Sequence, residues 1–255
     1  MSRADCYTLT ICSLLFAVNI FTDETEASKL PKTWKICKKS DPNMNECLKE
    51  AVNMAVHELT QGGNPSLGVL SMDPLRMNTL SIKQGTGPVS INLDFTEIDV
   101  IGLKNFEVMN IRTDWKDMDI EGRVKSQLVL DGKYKIDGKV LVLPVTGEGH
   151  CRIIFDNIHT KAHKKLKETS KNGKRYYEVT GEEFEFDVDK VHLHFDNLFN
   201  GDKTLGDTTN AFINENWKEI FMELKPSIST IFGTLFKEIS NRIFSKITVE
   251  ELSPA

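Results

Sequence analysis

The groups in this sequence best suited to metal binding or nucleophilic chemistry are its six histidines and five cysteines, and their spacing limits what they can do. His192 and His194 lie two apart in an alternating segment, which puts both on one face of a strand, and with His150 or Cys151 they make a candidate zinc set. Val191, Leu193 and Phe195 claim the opposite face for the interior, so the two histidines read as a solvated face. His159 and His163 would meet at i and i+4 on a helix, but no glutamate follows His159 and the hydrolytic zinc motif is not formed. No Gly-x-Ser-x-Gly elbow, Walker loop or dinucleotide fingerprint occurs, and Gly62-Gly63-Asn64-Pro65 reads as a helix terminator. Catalysis finds no foothold, so the chain reads as a non-enzyme with neither metal nor cofactor.

Residues 1–27 carry Arg3, an apolar stretch from Ile11 to Phe21 and then Thr25-Glu26-Ala27. This is the pattern of a secretory signal peptide cleaved after Ala27, and the apolar stretch is short for a membrane span; an uncleaved anchor is the alternative. Cleavage would remove Cys6 and Cys12 and leave Cys37, Cys47 and Cys151. In an oxidising compartment Cys37 and Cys47 are near enough to pair, and a loop of about eleven residues contributes roughly 2.5 to 3 kcal/mol in the chain-entropy model. Cys151 is then left over and reads as a buried, inert thiol.

These groups must be carried on a framework, and its dominant part is the stretch from Asp207 to Phe244. Apolar residues recur there at steps of three and four, among them Phe212, Trp217, Phe221, Leu224, Ile228, Phe232, Phe236 and Phe244, a stripe wide enough for a core helix. Asn210, Asn214, Glu219 and Glu238 belong to a narrower polar strip. Pro226 inside the run predicts a kink or two helices end to end; a continuous helix would be about 57 Å long at about 1.5 Å per residue. Upstream, Leu48, Val52, Val56 and Leu59 share one helical face after Asp41-Pro42-Asn43.

Between these helices the apolar period is two. Val89, Ile91, Leu93 and Phe95 alternate with polar residues, and strands are predicted again at Ile98–Val108, Ile111–Ile120, Arg123–Leu130, Tyr134–Pro144, His150–Ile158, Tyr176–Val179, Phe184–Val188 and Val191–Phe195. Asp131-Gly132, Asp137-Gly138 and Asn172-Gly173 are hairpin signals, so the sheet is antiparallel. Lys161–Arg175 is basic and reads as a solvated hairpin. The expected architecture is α+β: one highly curved antiparallel β-sheet wrapped around one long C-terminal α-helix, in a single domain over 28–255. With 40% hydrophobic and 27% charged residues the 255-residue chain has the balance and length for one such domain, and its net charge of −5 gives no reason to expect nucleic acid.

Many ordered motifs resemble those of the insect takeout family, related to haemolymph juvenile-hormone-binding proteins. They are Leu30-Pro31, Cys37 through Asp41-Pro42 to Cys47-Leu48, Pro65–Gly68, Met72–Leu75, Gln84–Pro88, Gly102-Leu103, Gly132–Tyr134, Asp137-Gly138, Leu143-Pro144, Asn197–Asp202 and Asn214–Trp217. The resemblance implies a tubular lipid-binding fold with an apolar tunnel for an elongated lipophilic ligand, a terpenoid hormone or fatty-acid-like lipid. Inward positions that would line it are Phe95, Val108, Leu128, Leu130, Leu141, Leu143, Phe184, Phe186, Leu193, Trp217, Phe221, Leu224, Ile228 and Phe232. Cys37 and Cys47 resemble the family's N-terminal disulfide pair. Cys151 resembles one half of a second disulfide in the hormone-binding relatives, but the Val191–Phe195 strand has no cysteine to meet it, so the chain is more similar to takeout. The implied protein is a secreted monomeric carrier without stable membrane insertion, and feeding or circadian roles are among those the family allows. A lipid-active hydrolase or a membrane-surface lipid-binding module is the competing reading.

Overall fold

The computed structural model describes residues 29–85 and 87–254, so the predicted signal peptide lies outside the described residues. Helix α1, Met44–Gly62, presents Leu48 and Leu59 to the interior and is followed by seven strands: β1 Leu75–Gln84, β2 Val89–Ile101, β3 Phe106–Thr113, β4 Asp117–Val140, β5 Leu143–Lys171, β6 Lys174–Asp187 and β7 Lys190–Phe195. Helices α2, Lys203–Glu215, α3, Trp217–Phe244, and the single turn α4, Val249–Leu252, complete the chain.

The sheet is antiparallel and curled, ordered β1-β2-β4-β5-β6, with β3 added to β4 and β7 to β5. Its frame is the long β4–β5 hairpin, paired from Asp117 with Lys165 to Val140 with Leu143. Each long strand serves two short ones in succession. β4 pairs β3 through Met118–Val124 and β2 through Val129–Val140, while β5 pairs β7 through Cys151–Asp156 and β6 through His159–Lys171. At the handover the β4–β5 register shifts between Val124 and Gln127, and Asn157 stands at φ 50. A bulge there moves the buried set of β5 from Cys151, Ile153 and Phe155 to Ile158, Lys164 and Leu166, a change of phase that strict alternation does not foresee.

Three sequence expectations are corrected by these strands. Asp131-Gly132 and Asp137-Gly138 do not turn the chain but lie inside β4. Gly132 brings its backbone against β2, where a Cβ would come within 2.7 Å of Ile98 Cα, and Gly138 at φ 142 would drive a Cβ into the Ser90 carbonyl. Their glycines serve close strand approach, whereas Asn172-Gly173 does form a turn. His159 and His163 lie on β5 and not on a helix.

The helical region also departs from expectation. The break falls at Asn216, at φ −104 and ψ 17, and α3 runs uninterrupted through Pro226. Pro226 is exposed while Leu224 and Ile228 on either side of it pack into the core, so tertiary packing overrides a local cost of about 3 kcal/mol. At 28 residues α3 is about 42 Å long. It packs on β6 and β7 and touches β1 and β2.

Asparagine side chains fasten the helices to the sheet edges. Asn210 and Asn214 of α2 each exchange two hydrogen bonds with one backbone unit of β7, at Phe195 and Leu193, and Asn241 of α3 does the same at Val179 of β6. Asn53 of α1 repeats the device at Val108 of β3. Asn210 and Asn214, expected on the narrower polar strip, satisfy strand edges that would otherwise present bare donors and acceptors.

Candidate functional site

A cavity of about 160 Å³ lies between the curled sheet and α3, along the helix from Trp217 to Phe236. Among the described residues Thr160 is the one hydroxyl-bearing side chain in its wall. Eleven of the predicted tunnel positions line it: Phe95, Leu128, Leu130, Phe184, Phe186, Leu193, Trp217, Phe221, Leu224, Ile228 and Phe232. Val108 does not; it lines a second cavity. Leu141 and Leu143 line neither, because they sit at the turn that closes the β4–β5 hairpin. Ile91, Leu93, Ile153, Phe155, Phe195 and Ile220 also form the wall and were legible only as core positions of the same alternation and stripe. Phe186 stands edge-on to Phe221 at 5.4 Å and to Phe155 at 6.5 Å, which holds the rings as a rigid lining.

The second cavity, about 300 Å³, lies under α1 in the half of the sheet built from β3, the start of β4, the end of β5 and β6. Leu103, Phe106, Phe184 and Phe236 belong to both walls, and Phe184 meets Phe236 edge-on at 5.1 Å, so these rings form an aromatic partition where the two chambers adjoin. The second chamber is not uniformly apolar. Lys164 of β5 and Glu182 of β6 both line it, with Nζ 2.6 Å from Oε1, and Nζ also donates to Ser240 Oγ at 3.3 Å. Burial pushes the Lys164 ammonium down and the Glu182 carboxyl up from their ordinary values, each opposed by the attraction of the other. The predicted solvated hairpin Lys161–Arg175 is therefore corrected at Lys164, which the phase change of β5 turns inward. Glu182 shares the inward parity of Phe184 and Phe186, the one signal in the sequence that could have found it.

A family model described as haemolymph juvenile hormone binding protein matches residues 11–254. The chain belongs to that family. It is 26% identical over 249 residues to circadian clock-controlled protein daywake of Drosophila melanogaster, covering 93% of each chain, and 23% identical over 205 residues to daywake of Drosophila yakuba, covering 76% of this chain and 78% of the relative. The crystal structure of Epiphyas postvittana Takeout 1 superposes with a TM-score of 0.75 at 25% identity, over 87% of this chain and 100% of that one.

In this member of the juvenile hormone binding protein family, Cys37 and Cys47 are disulfide-bonded and Cys151 is a free, fully buried thiol. Its register partner on β7 is Phe195, and burial pushes the thiol up to about 12, where a thiolate does not form near neutral pH. The histidines lie apart on the outer face, each beside its own carboxylate: His192 Nε2 at 3.0 Å from Asp156, His194 Nε2 at 3.0 Å from Asp196 and His150 Nε2 at 3.0 Å from Asp131. Among the described residues no three His, Cys, Asp or Glu side chains gather as a metal site, and no helix is long and apolar enough to cross a membrane.

Proposed function

We propose that this protein is a secreted carrier that sequesters a small elongated lipophilic molecule, a terpenoid or fatty-acyl compound, in the chambers between the sheet and α3. The carrying observation is the first chamber, whose wall among the described residues carries no ionisable side chain and offers an apolar ligand burial. Membership of a family named for hormone binding supports the reading, as does the Cys37–Cys47 bond, which suits an oxidising extracellular fluid. Burying about 400 Å² of apolar ligand would contribute roughly 10 kcal/mol at about 25 cal/mol per Å², leaving micromolar to high-nanomolar affinity after association costs.

Mass spectrometry of an organic extract of natively purified protein is expected to return a stoichiometric lipophilic compound. An extract with no such compound, together with failure of the purified protein to bind any apolar fluorescent probe, would overturn the carrier reading.

A further inference from the structure

The two chambers differ in chemistry, and the difference is concentrated at one point. In the second chamber the Glu182 side chain is 1% exposed and that of Lys164 10% exposed, and while the Lys164 ammonium holds Oε1, Oε2 accepts no hydrogen bond from the described residues. Trp34 Nε1, in the same wall, is buried with no hydrogen-bond partner among the described residues. A buried polar atom short of a hydrogen bond is costly, so a group able to complete these bonds gains free energy in this chamber. The pair also lies next to the partition: Glu182 is two residues from Phe184 on one strand face, and Ser240 is one helical turn from Phe236.

We infer that the second chamber is a polar-end subsite, where Lys164, Glu182 and Ser240 hold the neutral hydroxyl end of a lipophilic ligand. The inference rests on the carrier reading and adds the class of ligand. A hydroxyl satisfies both members of the pair at once: its O–H donates to Glu182 Oε2 and its oxygen accepts from Lys164 Nζ. Charge balance selects against ionic ends. The pair is neutral as a whole and already unfavourable to charge, as the downward shift of Lys164 and upward shift of Glu182 show, so a carboxylate or ammonium would leave one buried charge unbalanced. An ether or an alkane end adds no charge but cannot donate to Glu182, and leaves it as it was.

The test compares ligands of equal tail length on the intact protein by displacement of an apolar fluorescent probe: 1-dodecanol, methyl dodecyl ether, dodecanoate and dodecylammonium. Dodecanol is expected to bind at least tenfold more tightly than each of the others. In Lys164→Met/Glu182→Leu, which replaces the pair by apolar side chains of similar size, the preference for alcohol over ether should fall to about one while the ether binds at least as well as to the wild type. A wild-type preference below tenfold, tighter binding of dodecanoate or dodecylammonium, or a preference that survives in the double variant would overturn the inference. The wild-type series needs no variant to fold. Indifferent binding of all four ligands defeats the hydroxyl subsite alone, whereas no binding of any apolar probe defeats the carrier reading with it.

Discussion

Leu224 is 8% exposed, lines the first chamber and lies on α3 between Phe221 and Ile228, so enlarging it fills ligand space before it disturbs the helix. Leu224→Trp is expected to weaken binding of a fluorescent fatty-acid or terpenoid probe at least tenfold, about 1.4 kcal/mol, whereas Glu238→Gln on the exposed face should leave it unchanged. Thermal melting must accompany the titration, because overpacking costs roughly 1 to 3 kcal/mol and a variant that melts near the assay temperature would lose binding for that reason. Unimpaired binding by a folded Leu224→Trp protein would remove the chamber from consideration. A second residue-scale effect concerns pH. His163 Nδ1 lies 2.8 Å from Asp119, and that hydrogen bond, aided by Asp117 and Glu183 beside the ring, raises the imidazole above its usual value. Because the folded value exceeds the unfolded one, the contribution is complete below about pH 6.5 and is lost as pH rises through the raised value. His163→Gln should therefore lower the melting temperature at pH 6 and have a smaller effect at pH 8; the reverse order would contradict the sign.

At the scale of elements, the helices and the strand edges depend on each other through single asparagines. Asn214 Oδ1 accepts from Leu193 N at 2.9 Å and its Nδ2 donates to Leu193 O at 2.7 Å. Asn214→Ala leaves both backbone groups of β7 without these partners and is expected to cost about 1 to 3 kcal/mol in urea denaturation. A change within about 0.5 kcal/mol, the range of an ordinary surface substitution, would show that the clamp contributes little. Most strands were legible by their alternation, but their bounds were not: β1 was not read, and the predicted Ile98–Val108 and Ile111–Ile120 strands run across the breaks on either side of β3. Asp-Gly pairs ordinarily announce turns, and in β4 their glycines answer instead to the backbone of β2, a long-range contact that no local pattern contains. Pro226 misleads for the same reason: the cost of interrupting a helix is local, while the burial that offsets it comes from the sheet.

For the whole molecule, the expectation is a mature chain that begins near Ser28 and carries one free thiol. The Cys37–Cys47 bond joins the segment before α1 to that helix, and Ser253 Oγ donates to Cys37 O at 3.1 Å, so the C-terminal end of the described chain meets the disulfide. N-terminal sequencing of secreted protein and thiol titration of the unfolded, unreduced chain test this together. Retention of Cys6, or a count of three thiols in a chain that starts at Ser28, would refute it.

Sequence by itself determined the class of fold and the apolar character of the interior, because both follow from periodicity: steps of three and four in α3, steps of two in the strands, and a hydrophobic set too large for any one element to bury. Along those periods Phe95, Phe184, Phe186, Phe221 and Leu224 could be placed on inward faces in advance, and all five stand in one wall. Tertiary structure alone decided where that wall is interrupted. Leu141 and Leu143 keep the period but sit at a turn, Val108 belongs to the other half of the sheet, and a bulge at Asn157 reverses the phase that would have sent Lys164 to solvent. The meeting of Lys164 with Glu182 is of the same kind. Two charged residues eighteen apart in the chain carry no mark of pairing until β5 and β6 set them in register as neighbours and α1 with the end of α3 closes water away from them.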